Sequence, residues 1–222
     1  MYAGHFAIGL AIKAAAPRTP ALPILMGVGL LDLLDGIFIV LGIDRVAPNL
    51  ASGPYLYFDL LFIDWDHSLL MAVVLSLVWG AFFLRDRRVA AIAAAAVFSH
   101  WLADWPVHNG DLAAYPHSVE HYGYGLWGKL GMGSWLLEGL FAAVLLAYAW
   151  TANARRGVGT LWPAVVLVVL FLQLSPWLSP MKIVARFDEP AAHLAHGALV
   201  ALGFLVPALL LTWLVDRAER RM

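Results

Sequence analysis

Cysteine is absent from all 222 residues, which excludes disulfides, thiolate nucleophiles and zinc–thiolate sites at once. Charge is nearly as scarce. Asp, Glu, Lys and Arg make up 13% of the chain, about half of the roughly 25% typical of soluble domains, and they nearly cancel to a net charge of -1. There is no basic arm and no block of like charge, so nucleic acid is not an expected partner. A basic leader of the secretory kind is also missing: Met1 runs into an apolar segment that carries His5, and that segment is expected to be retained. No internal repeat and no low-complexity tract is evident.

What fills the space is apolar. Hydrophobic residues make up 62% of the chain and the mean hydropathy is +0.79. Segments near the length that spans hydrocarbon, about 20 residues, predict helices near 2–16, 20–43, 60–84, 88–108, 131–153, 160–178 and 189–215. Breakers separate them: Pro17 and Pro20, Pro48 and Pro54, Gly110 and Pro116, Gly157 and Gly159, Pro176 and Pro180. Pro190 suits the first turn of the last helix, with Asp188 as its cap. The expectation is an all-α polytopic membrane bundle of about seven helices, six or seven of them spanning. It forms a single membrane domain over 1–222, with a metal-site core in 1–150 and two further helices in 151–222.

Charge placement orients this bundle. Lys13, Arg18, Arg85, Arg87, Arg88, Arg155, Arg156, Arg217, Arg220 and Arg221 fall on one side, and Arg45, Lys129, Lys182 and Arg186 on the other. The basic side is expected to face the cytoplasm of a bacterial inner membrane, with the N-terminus outside and the C-terminus inside. His5, His67, His100, His108, His117, His121, His193 and His196 all fall in the outward half of this bundle. Asp64, Asp66, Asp104, Asp111 and Glu120 join them. Polar groups gathered at one depth across several helices predict one site open to the outer side.

The richest stretch is His100-Trp-Leu-Ala-Asp104-Trp-Pro-Val-His108. Residues four apart share a helix face, so His100, Asp104 and His108 form a ladder of ligand-type groups on an apolar helix. Ionisable groups at such depth are costly unless paired or ligated. Asp32 and Asp35 share a face at i, i+3, and two such carboxylates repel without a cation between them. His67 opens the buried part of a third helix, with Asp64 and Asp66 before it as N-cap candidates. Imidazole and carboxylate suit zinc and similar ions, so metal ligation by His5, Asp32, His67, His100, Asp104 and His108 is preferred to plain hydrogen-bonded pairing. Asp35 and Glu138 are the candidate proton acceptors; Glu138 is also a candidate ligand or a holder of a histidine. Asp111, Lys129 and Arg186 are candidates for meeting substrate. His193 and His196 form either a separate site with Glu189 or part of the same lining.

The order of these residues resembles a known family. A His near the N-terminus, an Asp in a second helix, His67-Ser68 opening a third and His100-x3-Asp104 in a fourth look like the bacterial predicted membrane-bound metal-dependent hydrolases, which are distantly similar to zinc-dependent phospholipase C and single-strand-specific zinc nucleases. Ser99-His-Trp-Leu-Ala-Asp104, Val107-His108, Asp111-Leu112, Gly125-Leu-Trp127 and Glu138 are similar to an uncharacterised branch of small bacterial membrane proteins. The resemblance covers about 1–150. It implies His5, Asp32, His67, His100 and Asp104 as ligands of a two-metal centre, with Asp104 the candidate bridge. Two departures stand out: His117 is followed at i+4 by His121 rather than Glu, and Met1 replaces the amino-terminal ligand residue of the secreted enzymes.

The expected function is a phosphoesterase that uses one or two divalent ions, zinc by preference, on a lipid or amphiphilic substrate. The rival is a metal- or proton-handling carrier, which needs polar groups continuing to the inner face. A third reading is a membrane subunit with a structural metal in a closed site.

Overall fold

The computed structural model describes residues 1–52 and 56–221; Pro54, expected as a breaker, lies outside them. Among the described residues the chain is mostly helical, with two short two-stranded hairpins. Helix α1 covers Ala3–Ala15 and stops before Pro17. The single helix expected over 20–43 is two, α2 (Ala21–Gly27) and α3 (Leu30–Val40), bent by 52° at the Val28–Gly29 junction.

The helix expected over 60–84 also starts late. Its first residues form strand β2 (Phe58–Phe62), antiparallel to β1 (Arg45–Pro48), with Val46 opposite Leu60. Phe-Asp-Leu-Leu-Phe is too short for its period to separate strand from helix, and pairing with β1, upstream in the chain, decides it. After the short α4 (Asp64–His67), helix α5 (Leu69–Ala81) begins where Ser68 Oγ accepts the N–H of Met71. Asp86 caps α6 (Arg87–Asp104) by accepting from the N–H groups of Arg88 and Val89.

The expected outer loop holds β3 (Leu112–Ala113), β4 (His121–Tyr122) and α7 (Leu126–Leu130). Then come α8 (Met132–Ala154), α9 (Leu161–Gln173), α10 (Met181–Val184) and α11 (Ala191–Glu219). At the start of α11 it is Glu189, not Asp188, whose carboxylate accepts the N–H of His193.

By length and composition, α8 with 23 residues and α11 with 29 can cross a membrane, and the bent α2–α3 pair is a third candidate. Helices α1, α5 and α9 have 13 residues each, short of the roughly 20 needed. The helical class therefore stands as expected, while helix lengths supply two or three clear spans rather than six or seven.

Three helix pairs make the frame: α3 against α11, α1 against α8 and α5 against α6, with α2 packed on α6 and α11. The first contact is backbone to backbone. A Cβ on Gly36 would lie 2.4 Å from Ala201 N, and one on Gly197 would lie 2.7 Å from Gly36 O. Only glycine permits that approach, the small-residue contact by which apolar helices close on one another. Phe6, Ile24, Leu25, Val28 and Leu211 are fully buried at the centre. At one end, Lys13 Nζ meets Glu219 Oε1 at 2.7 Å and donates to the carbonyl of Pro17, tying the carboxyl ends of α1 and α11 together.

Candidate metal centre

Five of the six expected ligands converge from four elements. His5 comes from α1, Asp32 from α3, His67 from α4, and His100 and Asp104 from α6. His5 Nε2 lies 3.2 Å from Asp104 Oδ1, and His100 Nε2 lies 2.9 Å from Asp104 Oδ2. Asp32 sits opposite, 3.4 Å from His100 Nε2 and 3.5 Å from His67 Nε2. His108 joins from just beyond α6, its Nε2 3.7 Å from Asp104 Oδ2. Asp104 is thus the hub, within 4.0 Å of His5, His67, His100 and His108. The amino group of Met1 also contacts it. His5, His67, His100 and Asp104 are almost wholly buried, and Asp32 is partly open.

The helix break supplies a key part. The Val28 carbonyl, at the α2–α3 bend, lies 2.8 Å from His100 Nδ1. A carbonyl only accepts, so Nδ1 carries a proton, and in neutral imidazole Nε2 then bears the lone pair. That lone pair faces two carboxylates. The same arrangement recurs: Asp66 Oδ1 lies 3.0 Å from His67 Nδ1, and Asp111 Oδ1 lies 2.8 Å from His108 Nδ1. Three imidazoles are held by Nδ1 and point Nε2 at shared carboxylates, which is how proteins orient histidine ligands of a metal.

Charging both members of the His5–His100 stack is a poor alternative. His5 and His100 stack face to face, 3.7 Å between centroids at 8°, so two imidazoliums would repel out of water. Neither His5 nitrogen has a hydrogen-bond partner among the described residues, and His100 Nε2 makes no hydrogen bond despite its short distance to Asp104. A divalent cation resolves both conflicts. Two of the three sets that fit one include His100: His5, His100 and Asp104, and Asp32, His67 and His100, each with donor atoms within 4.8 Å of one another.

The remaining expected residues separate. Asp35 is buried beside the site and lines the adjoining cavity. Glu138 is placed elsewhere: from α8 its Oε1 accepts the N–H groups of Tyr2 at 2.6 Å and Gly4 at 3.0 Å, where a carboxylate complements the amino end of α1. It positions the helix that carries His5. Asp111 supports His108. Burial opposes ionisation of Asp111, but His108, by charge and hydrogen bond, holds its carboxyl below the usual range. Lys129 donates to the Tyr124 carbonyl on the surface, and Arg186 is exposed after α10; neither lines the cavity.

Asp64 accepts the backbone N–H of His117, and His117 stacks on Phe62, so His117 anchors a loop. His196 packs on Phe58 and lines the cavity, while His193 does not. Two contributors escaped the sequence reading: the Val28 carbonyl, which no side-chain pattern signals, and Asp44, a loop carboxylate with no helical spacing to the rest.

The cavity, about 840 Å³ with its mouth included, adjoins Asp32, Asp35, His67, His108 and His196. Its other walls are mostly apolar, from Leu60, Leu174, Met181, Leu199, Val200 and Phe204, with Tyr2 and Gln173 among them. Gly123, at φ +125°, lets the loop close over this end: a Cβ there would lie 2.4 Å from the His108 carbonyl.

No family model, curated protein or solved structure matches the chain.

Proposed function

We propose that the protein is a membrane-embedded, metal-dependent phosphoesterase acting on a lipid or amphiphilic substrate. The observation that carries the proposal is the convergence of His5, Asp32, His67 and His100 on Asp104, with the Nδ1 atoms of His67 and His100 held from behind. It agrees with the resemblance to the membrane-bound metal-dependent hydrolases, whose expected ligands are these five residues. The donor set of imidazole nitrogen and carboxylate oxygen suits zinc. Bound there, two divalent ions supply a water acidified toward neutrality and a Lewis acid for phosphoryl oxygens.

The chain's own residues do the rest. Asp104 presents Oδ1 to His5 and Oδ2 to His100, His67 and His108, so its carboxylate would hold metal together with the imidazoles around it. Asp35, on the cavity wall, accepts the proton of the attacking water; Glu138 keeps α1 in place. The apolar walls from α9, α10 and α11 receive acyl chains while the ester reaches the His–Asp end. A closed structural site is disfavoured because Asp32 and His108 face this cavity. A carrier is disfavoured because buried Phe6, Ala7 and Leu10 separate His5 from Lys13 along α1.

The proposal includes a multi-pass inner-membrane topology, N-terminus outside and C-terminus in the cytoplasm, with the shorter helices completing six or seven spans and the site open to the outer side. The test is turnover by purified, zinc-loaded protein on a phospholipid and phosphodiester panel, with Asp104→Asn as control. Metal-dependent release of a phosphoryl product, lost in the variant, is expected; metal binding without turnover of any ester would overturn the enzymatic reading.

A further inference from the structure

The two ring nitrogens of His67 face two different groups of acids. Nε2 looks to Asp32 and Asp104, while Nδ1 looks to Asp66. Behind Asp66 lie two more carboxylates, Asp35 and Asp44. Asp44 is carried there by the end of α3: Gly42 turns at φ +71°, and the N–H groups of Ile43 and Asp44 both return to the Phe38 carbonyl, a glycine-dependent helix stop.

Asp44 and Asp66 are 0% exposed and Asp35 is 6% exposed. Asp35 Oδ1, Asp66 Oδ2 and both oxygens of Asp44 are buried with no hydrogen-bond partner among the described residues. Donor atoms of Asp35, Asp66 and His67 lie within 4.8 Å of one another, and the Asp44 carboxyl meets that of Asp66. Arg45, next in sequence, is exposed and sits over the Phe62 ring at 5.4 Å, so it does not neutralise them.

We propose that Asp35, Asp44 and Asp66 form a further cation site, made of carboxylate oxygens and selective for a hard divalent ion of the magnesium, manganese or calcium type. Oxygen-only donors favour such ions, whereas the imidazole-rich centre beside it favours zinc. Asp66 is the link: Oδ1 holds the Nδ1–H of His67 while Oδ2 faces the cation. The ion also balances the charge around Asp35 and leaves it a carboxylate able to take a proton; that consequence rests on the hydrolase reading, but the site itself does not. Without a cation, the three acids must share protons instead.

Manganese reports on this directly. Full-length protein saturated with zinc is titrated with Mn2+, and loss of the free-ion signal is followed by electron paramagnetic resonance. The wild type should bind one Mn2+ per chain beyond its zinc. Asp44→Asn should weaken that binding at least tenfold with zinc content unchanged, and His100→Ala should lose zinc but keep Mn2+. Failure of the wild type to take up Mn2+, or equal uptake by Asp44→Asn, overturns the proposal; the wild-type result holds even if a variant does not fold. Mn2+ binding by a wild type that takes no zinc upholds this site and counts against the zinc centre alone.

Discussion

At the scale of single residues, tautomers decide the chemistry. The Val28 carbonyl fixes the proton of His100 on Nδ1, and the carboxylates of Asp66 and Asp111 do the same for His67 and His108. Orienting partners of this kind are worth about 10–100-fold in metal affinity. Asp111→Asn should therefore weaken the centre by about that factor, read as a shift in a competitive zinc-chelator titration. Unchanged affinity would remove His108 from the ligand set. The His100–Asp104 ladder was legible because i, i+4 spacing on a helix fixes a shared face. Asp44 was not, because a turn after a helix carries no period; its place depends on Gly42 and on packing against α4.

At the scale of elements, the long apolar helices α8 and α11 were legible to within a few residues. The α2–α3 bend and the β1–β2 hairpin were not. Both lie in runs whose composition suits a continuous helix, and both are set by contacts distant in sequence, His100 to Val28 and Val46 to Leu60. The hairpin matters to the site, since Phe58 packs on His196 and Leu60 lines the cavity. The α3–α11 seam holds Asp32 and Asp35 in place. A methyl added at Gly36 meets backbone, which cannot yield as a flexible side chain would. Gly36→Ala should cost about 1–3 kcal/mol, a fall in melting temperature of about 2–4 °C per kcal/mol for a chain of this size. An undiminished melting temperature would mean that the seam is looser than described.

At the scale of the whole molecule, composition pointed to a membrane and to helices, but hydropathy alone overstated how many helices have the length to cross. Helices α1, α5 and α9 end early where prolines, glycines and polar turns intervene, and α6 begins with two arginines and ends with Asp104. The proposed orientation is open to direct test because the chain has no cysteine. Val119, 90% exposed beside the site's loop, and Arg155, exposed in the turn after α8, are expected on opposite sides. In intact cells with a permeabilised outer membrane, Val119→Cys should react with an impermeant maleimide and Arg155→Cys only after lysis; the reverse pattern would invert the topology.

The His–Asp cluster around Asp104 is, on the reading proposed, a metal centre. Elemental mass spectrometry of the purified protein tests it most directly, on wild type, His100→Ala and Asp104→Ala. The wild type should carry one or two zinc ions per chain and both variants should lose most of that content. A wild type that takes up no divalent metal, or variants that retain the full amount, would contradict it.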